Sequence, residues 1–155
     1  MKEYPSLKIG KSLQTHLDRL DYCDEVSQFS NCLSRKVGAI LIKDNHVASI
    51  GYNRVPANTE SCKTCRRCSK HSGESLDICK AIHAEEAAIF EFLKTHTAEE
   101  LKDCILYVSV EPCYHCAKLI ADFQIKQVYA KRRYNSNYTA TIFDEAGVTL
   151  NILSI

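Results

Sequence analysis

Residues 83–116 read HAEEAAIFEFLKTHTAEELKDCILYVSVEPCYHC, and the fold turns on them. Ala87, Ala88, Ile89, Phe90, Phe92 and Leu93 crowd together after His83, so His83 to Lys94 is expected to form a buried helix. Ile105 to Val110 is a β-branched strand that Pro112 must end or edge. Cys113 to Phe123 is helical again. Two clusters of metal-ligand side chains therefore sit at two helix starts, with one strand between them. Zinc favours Cys sulfur and His nitrogen, and a catalytic zinc keeps three protein ligands and an open fourth position. His83, Cys113 and Cys116 make such a set, with the Glu85 carboxylate two residues from the His. Cys113 and Cys116 lie three apart on a first helical turn, so their sulfurs share a face, and the helix start favours thiolate over thiol. Backbone dihedrals are not yet regular at a helix entrance, which lets His83 and Glu85 converge.

The rest of the composition is permissive. A chain of 155 residues is expected to form one domain with a sizeable core. A net charge of +1 supplies no general attraction for nucleic acid or membranes. Met1 to Pro5 holds no apolar run resembling a signal peptide, and no stretch approaches membrane-spanning length. Nine cysteines without a secretory signal read as metal ligands and buried thiols, and the cytoplasm is the expected compartment.

Before the central stretch, residues 1 to 11 read as a loose arm. Leu13, Leu17, Leu20, Val26 and Phe29 predict an amphipathic helix from Ser12 to Phe29, capped by Ser12. Val37 to Ile42 is a continuously apolar strand covered on both faces, Asp44-Asn45 is a turn, and Val47 to Tyr52 completes a hairpin. Residues 53–82 are an insert without periodicity, carrying cysteines at 62, 65, 68 and 79; so long a loop is functional or cross-linked. After the central stretch, Gln127 to Ala130 is a strand, Thr139 to Ala146 a helix stopped by Gly147, and Val148 to Leu153 a last strand. Strands alternating with helices give an α/β domain. Cys23 and Cys104 read as small core residues.

H-x-E followed by P-C-x-x-C is the signature of zinc nucleobase deaminases, in which the Glu is the acid/base and not a ligand. Over most of its length the chain resembles the deoxycytidylate (dCMP) deaminases. Cys32-Leu33-Ser34-Arg35-Lys36-Val37-Gly38-Ala39 is similar to their C-x-x-R-x-V-G-A lead-in to the first strand, and Gly51-Tyr52-Asn53 with Pro56 to their G-Y-N-G-x-P loop. Ser72-Gly73-Glu74 through Cys79, Leu106-Tyr107-Val108 before Pro112-Cys113, Ala117-Lys118-Leu119-Ile120 and Ala146-Gly147-Val148 also match. The resemblance implies a three-layer α/β/α cytidine deaminase-like fold with a five-stranded mixed sheet, and zinc-dependent hydrolysis of dCMP to dUMP and ammonia. It also implies Glu85 as the catalytic acid/base, and Asn53, Ala84 and Tyr134 as substrate-binding positions. A nucleotide substrate, a dCTP or dTTP effector and a homo-oligomer go with it.

The departures bear on the substrate. The family's H-A-E-x-N-A has Ala87 in place of Asn, and Arg54 replaces the glycine after G-Y-N, where it would either bind extra phosphate, as in dCTP, or lie solvated. Glu111 before Pro112 is shared with tRNA adenosine deaminases, which lack the cysteine-bearing insert. A base in RNA or single-stranded DNA is thus the alternative substrate; the near-neutral charge argues against it. Some family members hold a second, structural zinc. Cys32 and Cys62 match its ligand positions, and Cys79 with Cys68 or Cys65 would complete the set, His71 being a substitute; the alternative is ordinary thiols in a loop. Lys131-Arg132-Arg133 would follow the fourth strand and either hold a phosphate or form a solvated turn.

Overall fold

The computed structural model describes residues 9–10, 12–67, 74, 78–134 and 138–154. Cys68, His71, Ser72-Gly73 and most of the expected N-terminal arm lie outside these residues. Five strands form one mixed sheet in the order β2-β1-β3-β4-β5. They are β1 (Gly38–Lys43), β2 (His46–Tyr52), β3 (Ile105–Val110), β4 (Gln127–Arg132) and β5 (Thr149–Ile152). β1 runs antiparallel to β2 and β3, whereas β3, β4 and β5 run parallel. The hairpin closes at Lys43 and His46. Asp44 and Asn45 between them adopt φ of 51° and 63°, the left-handed pair that a two-residue hairpin turn requires.

Successive strand residues face opposite sides of a sheet, so the unbroken apolar run of β1 serves two cores. Ala39 and Leu41 pack with α2 (Ala84–Leu93), α3 (Tyr114–Asp122) and Phe143 of α4 (Thr139–Ala146). Ile40 and Ile42 pack on the other side with Leu20, Cys23 and Val26 of α1 (His16–Ser27). The result is the expected α/β/α sandwich, with one helix on one face and three on the other.

Several local expectations are corrected. α1 starts at His16, because the Thr15 hydroxyl accepts the Asp18 N–H at 3.0 Å, while Ser12 is used in a β-bridge to His46. Leu17 is consequently exposed, and Leu13 packs in the core from outside the helix. Phe90 also faces solvent, since it lies about 200° around α2 from the buried Ala88. A 3-10 helix at Ala98–Asp103, begun by Thr97 with Glu100 bonded back to its N–H at 2.7 Å, was not expected from periodicity. Lys131 and Arg132 belong to β4 and do not follow it. Lys131 bonds Asp21 and Asp24 at 2.8 and 2.6 Å, and Arg132 bonds Asp24 at 2.9 Å, so both are committed to α1. Cys23 and Cys104 are buried as expected.

Gly51 decides how closely α2 lies on the sheet. A Cβ there would collide with backbone atoms of Ala84 and Ala88. Backbone cannot swing aside as a flexible side chain can, so Gly51→Ala must displace the helix. The expected cost is about 1–3 kcal/mol, read as a lower midpoint in denaturant unfolding. An unchanged midpoint would show that α2 tolerates the shift.

Candidate functional site

Three donor atoms converge where α2 and α3 begin. His83 is the residue immediately before α2, and its own N–H is held by Glu86 Oε1 at 3.2 Å. Cys113 immediately precedes α3, delivered there by Pro112 at the end of β3, and Cys116 lies in the first turn. His83 Nδ1 is 3.5 Å from Cys113 Sγ and 3.3 Å from Cys116 Sγ. A tetrahedral zinc, with Zn–S near 2.3 Å and Zn–N near 2.0–2.1 Å, needs an N···S separation of about 3.5 Å. The donor set and its spacing fit zinc. Among the described residues, no other cluster of three or more His, Cys, Asp or Glu comes together closely enough to hold an ion.

The cluster is electrostatically divided. Cys113 is held down to about 4, chiefly by the hydrogen bond from Cys116, with His83 adding to it. Cys116 is pushed well above the ordinary thiol value by that same bond and by burial. With no ion bound, the bond between the two sulfurs leaves the thiolate on Cys113 and the proton on Cys116. His83 is raised to about 9, mainly by its bond to Cys113. Glu85 is 5% exposed and is raised to about 7, first by burial and then by the Cys113 thiolate, against the opposing His83.

A cavity of about 280 Å³ opens on this cluster. His83, Glu85 and Cys113 line it, as do the expected substrate positions Asn53, Ala84 and Tyr134. Asn53 is buried and shapes the wall: its Nδ2 donates to Arg35 O at 2.7 Å, and its Oδ1 accepts the Val37 N–H at 2.9 Å. Arg35, Arg67 and Glu111 also line the cavity, and sequence reasoning had given none of them a place there. Arg35 stood inside the matched C-x-x-R-x-V-G-A segment, which was the available signal. Arg54 faces elsewhere. It helps line a second cavity of about 470 Å³, which shares Cys32, Asn53, Arg67, Cys79 and Ala81 with the first. Cys32, Cys62, Cys65 and Cys79 all border that second cavity without forming a ligating cluster among the described residues.

The family model for the cytidine and deoxycytidylate deaminase zinc-binding region matches residues 14–132. The chain belongs to this family. It is 38% identical over 111 residues to a deoxycytidylate deaminase of Mycobacterium phage D29, covering 66% of this chain and 82% of that one. It is 36% identical over 126 residues to the deoxycytidylate deaminase of Schizosaccharomyces pombe, covering 78% of this chain. The chain spans 38% of that relative's length and 40% of that of the Saccharomyces cerevisiae one. Among solved structures, it resembles the dCMP deaminase of cyanophage S-TIM5 in complex with dCMP and dUMP, with a TM-score of 0.71 and 26% identity over 85% of this chain and 91% of that one. This is a zinc-binding deaminase domain with the cytidine deaminase-like fold. Among its described residues, no helix is long and apolar enough to cross a membrane.

The proton inventory gives a measurable consequence. Without a cation, Cys116 and His83 hold protons at neutral pH, and a metal must displace both. Zinc loading of stripped protein should release about two protons per ion, read by calorimetry in buffers of different ionisation enthalpy. Affinity should rise with pH, more steeply below the His83 value of about 9 than above it, where only the Cys116 proton remains to be displaced. Binding that is proton-free and independent of pH would contradict this distribution.

Proposed function

We propose that this chain is a hydrolase that deaminates a cytosine deoxynucleotide, converting dCMP and water to dUMP and ammonia. The observation that carries the reading is the His83 nitrogen set 3.3–3.5 Å from two cysteine sulfurs, beside a buried Glu85, at the end of one cavity. His83, Cys113 and Cys116 would hold the zinc, which when bound acidifies water and so supplies a nucleophile near neutral pH. The remaining work falls to side chains. Glu85 accepts a proton from the attacking water and delivers it to the pyrimidine ring nitrogen. It then carries a proton to the departing amine, which leaves as ammonia. A carboxyl whose affinity for protons is set near neutrality suits both transfers. Its place beside the ligands without being one distinguishes a reactive centre from a closed structural site.

Arg35 and Arg67 give the cavity a cationic border, and we assign them to the 5′-phosphate. Asn53, Ala84 and Tyr134 form the intervening wall against which sugar and base would rest. Lys131 and Arg132 are not proposed for phosphate, because aspartates already engage them. The effector that the resemblance implies is assigned to the second cavity, where Arg54, Arg66 and Lys80 would meet its phosphates, and the four bordering cysteines supply candidate ligands for a structural zinc. A homo-oligomer completes the reading that the resemblance supports.

Turnover should be compared on dCMP, dCTP, cytidine and a cytosine-bearing oligonucleotide by following ammonia release. dCMP is expected to react fastest. Glu85→Gln should lower its turnover by about 10²–10⁴-fold while zinc content stays at the wild-type level. An active Glu85→Gln protein, or reaction with the oligonucleotide alone, would defeat the proposal.

A further inference from the structure

Glu111 is the second carboxylate of the catalytic cavity, and the proton transfers assigned to Glu85 leave it without a role. It directly follows β3 and is 8% exposed. Two bonds fix its position: its N–H donates to Arg132 O at 2.7 Å, and its Oε2 accepts the Tyr134 N–H at 3.0 Å. Among the described residues, Oε1 accepts no hydrogen bond. Every deeply buried side-chain oxygen or nitrogen among them has a partner, so Oε1 keeps some accessible surface, and Glu111 is a residue of the cavity wall.

A carboxylate oxygen of this kind only accepts. When a ligand displaces the cavity water, that oxygen needs a donor from the ligand or is left unpaired at a cost. A deoxycytidine nucleotide carries few donors. Its exocyclic amine is one, but the reaction requires the amine to sit at Glu85 and the ligand cluster. Deoxyribose then offers a single further donor, the 3′-hydroxyl, and the 5′-phosphate at neutral pH mainly accepts. We infer that Glu111 is a specificity residue whose cavity-facing oxygen accepts a hydrogen bond from the 3′-hydroxyl of the nucleotide sugar, an inference that rests on the deaminase reading of this cavity.

The same contact discriminates against nucleic acid. A cytosine within a strand has a phosphodiester where the free nucleotide has its hydroxyl. That group brings a negative charge and no donor against Glu111, so it is rejected by repulsion as well as by a lost bond. The residue therefore favours nucleotides with a free 3′ end.

The test measures kcat/KM of zinc-loaded wild type, Glu111→Gln and Glu111→Ala on dCMP, 2′,3′-dideoxycytidine 5′-monophosphate and 2′-deoxycytidine 3′,5′-bisphosphate. Wild type should prefer dCMP over the dideoxy nucleotide by about 10–100-fold, the range of a hydrogen bond to a charged group. Glu111→Ala should bring that ratio close to one by lowering the dCMP value. Both variants should raise the rate on the bisphosphate relative to dCMP. Glu111→Gln retains an acceptor for the Tyr134 N–H, so its bisphosphate ratio decides the matter if the alanine variant does not fold. A wild type indifferent to the 3′-hydroxyl, or variants that lower all three substrates in proportion, would overturn the role of Glu111 alone. A wild type inactive on every nucleotide would overturn the deaminase reading and this inference with it.

Discussion

One ring nitrogen has to meet two sulfurs at once, and much of the fold serves that meeting. The nitrogen belongs to the residue before α2, and the sulfurs to the residue before α3 and to that helix's first turn, with some thirty residues between them. Separations of 3.3 and 3.5 Å leave little slack against the spacing a tetrahedral ion needs. α2 is located by the bare backbone of Gly51, against which it lies too closely for any Cβ. α3 is located by β3, which pairs with β1 on one side and β4 on the other. Pro112 ends that strand, so Cys113 arrives as the residue before the helix. Sheet register and one absent methyl group thereby set the distance between ligands distant in sequence.

The same framework arranges the cavity's polarity. Asn53 spends its amide on the backbone of Arg35 and Val37, and Ser30 Oγ donates to the Asn53 carbonyl at 2.7 Å. A buried amide thus holds the segment that presents Arg35, which explains why a residue of the G-Y-N loop matters to a wall it only partly forms. Glu85 and Glu111 are acidic and Arg35 and Arg67 basic, all around one space. That distribution suits a molecule with an anionic end and an uncharged, donor-bearing end. A purely structural ion site would need neither end.

Sequence disclosed the parts of this that local chemistry dictates. The hairpin was legible because Asp44-Asn45 is a turn pair that tolerates positive φ, and the ligand set because its spacing coincides with helix starts. The start of α1 was not, since Ser12 and Thr15 offer the same hydroxyl and only the bridge from Ser12 to His46 removes the first from contention. Phe90 was misplaced because a densely apolar helix leaves its exposed side ambiguous to periodicity. Arg67 and Glu111 lay beyond reach for a further reason: each enters the cavity through tertiary placement, and neither carries a local pattern that says so, whereas Arg35 at least stood within a matched segment.

The basic segment shows why composition could not settle the class of substrate. Read along the chain, Lys131-Arg132-Arg133 is an attractive anion site. In the fold, burial pushes Asp24 upward, yet its pairs with Arg132 and Lys131 outweigh that and hold its carboxyl below the ordinary range. The first two cations of the run are thus matched by α1 carboxylates, and with a net charge of +1 no long-range field remains to gather a polyanion. Attraction for a substrate must arise inside the cavity, over distances at which the position of each charge matters. Under the proposed function such a site would read the shape and donors of one small molecule, whereas a strand of nucleic acid is held mainly by charge laid out along a surface. The aspartates of α1 thus act on the same question from a distance, by engaging two cations that would otherwise offer an anion site.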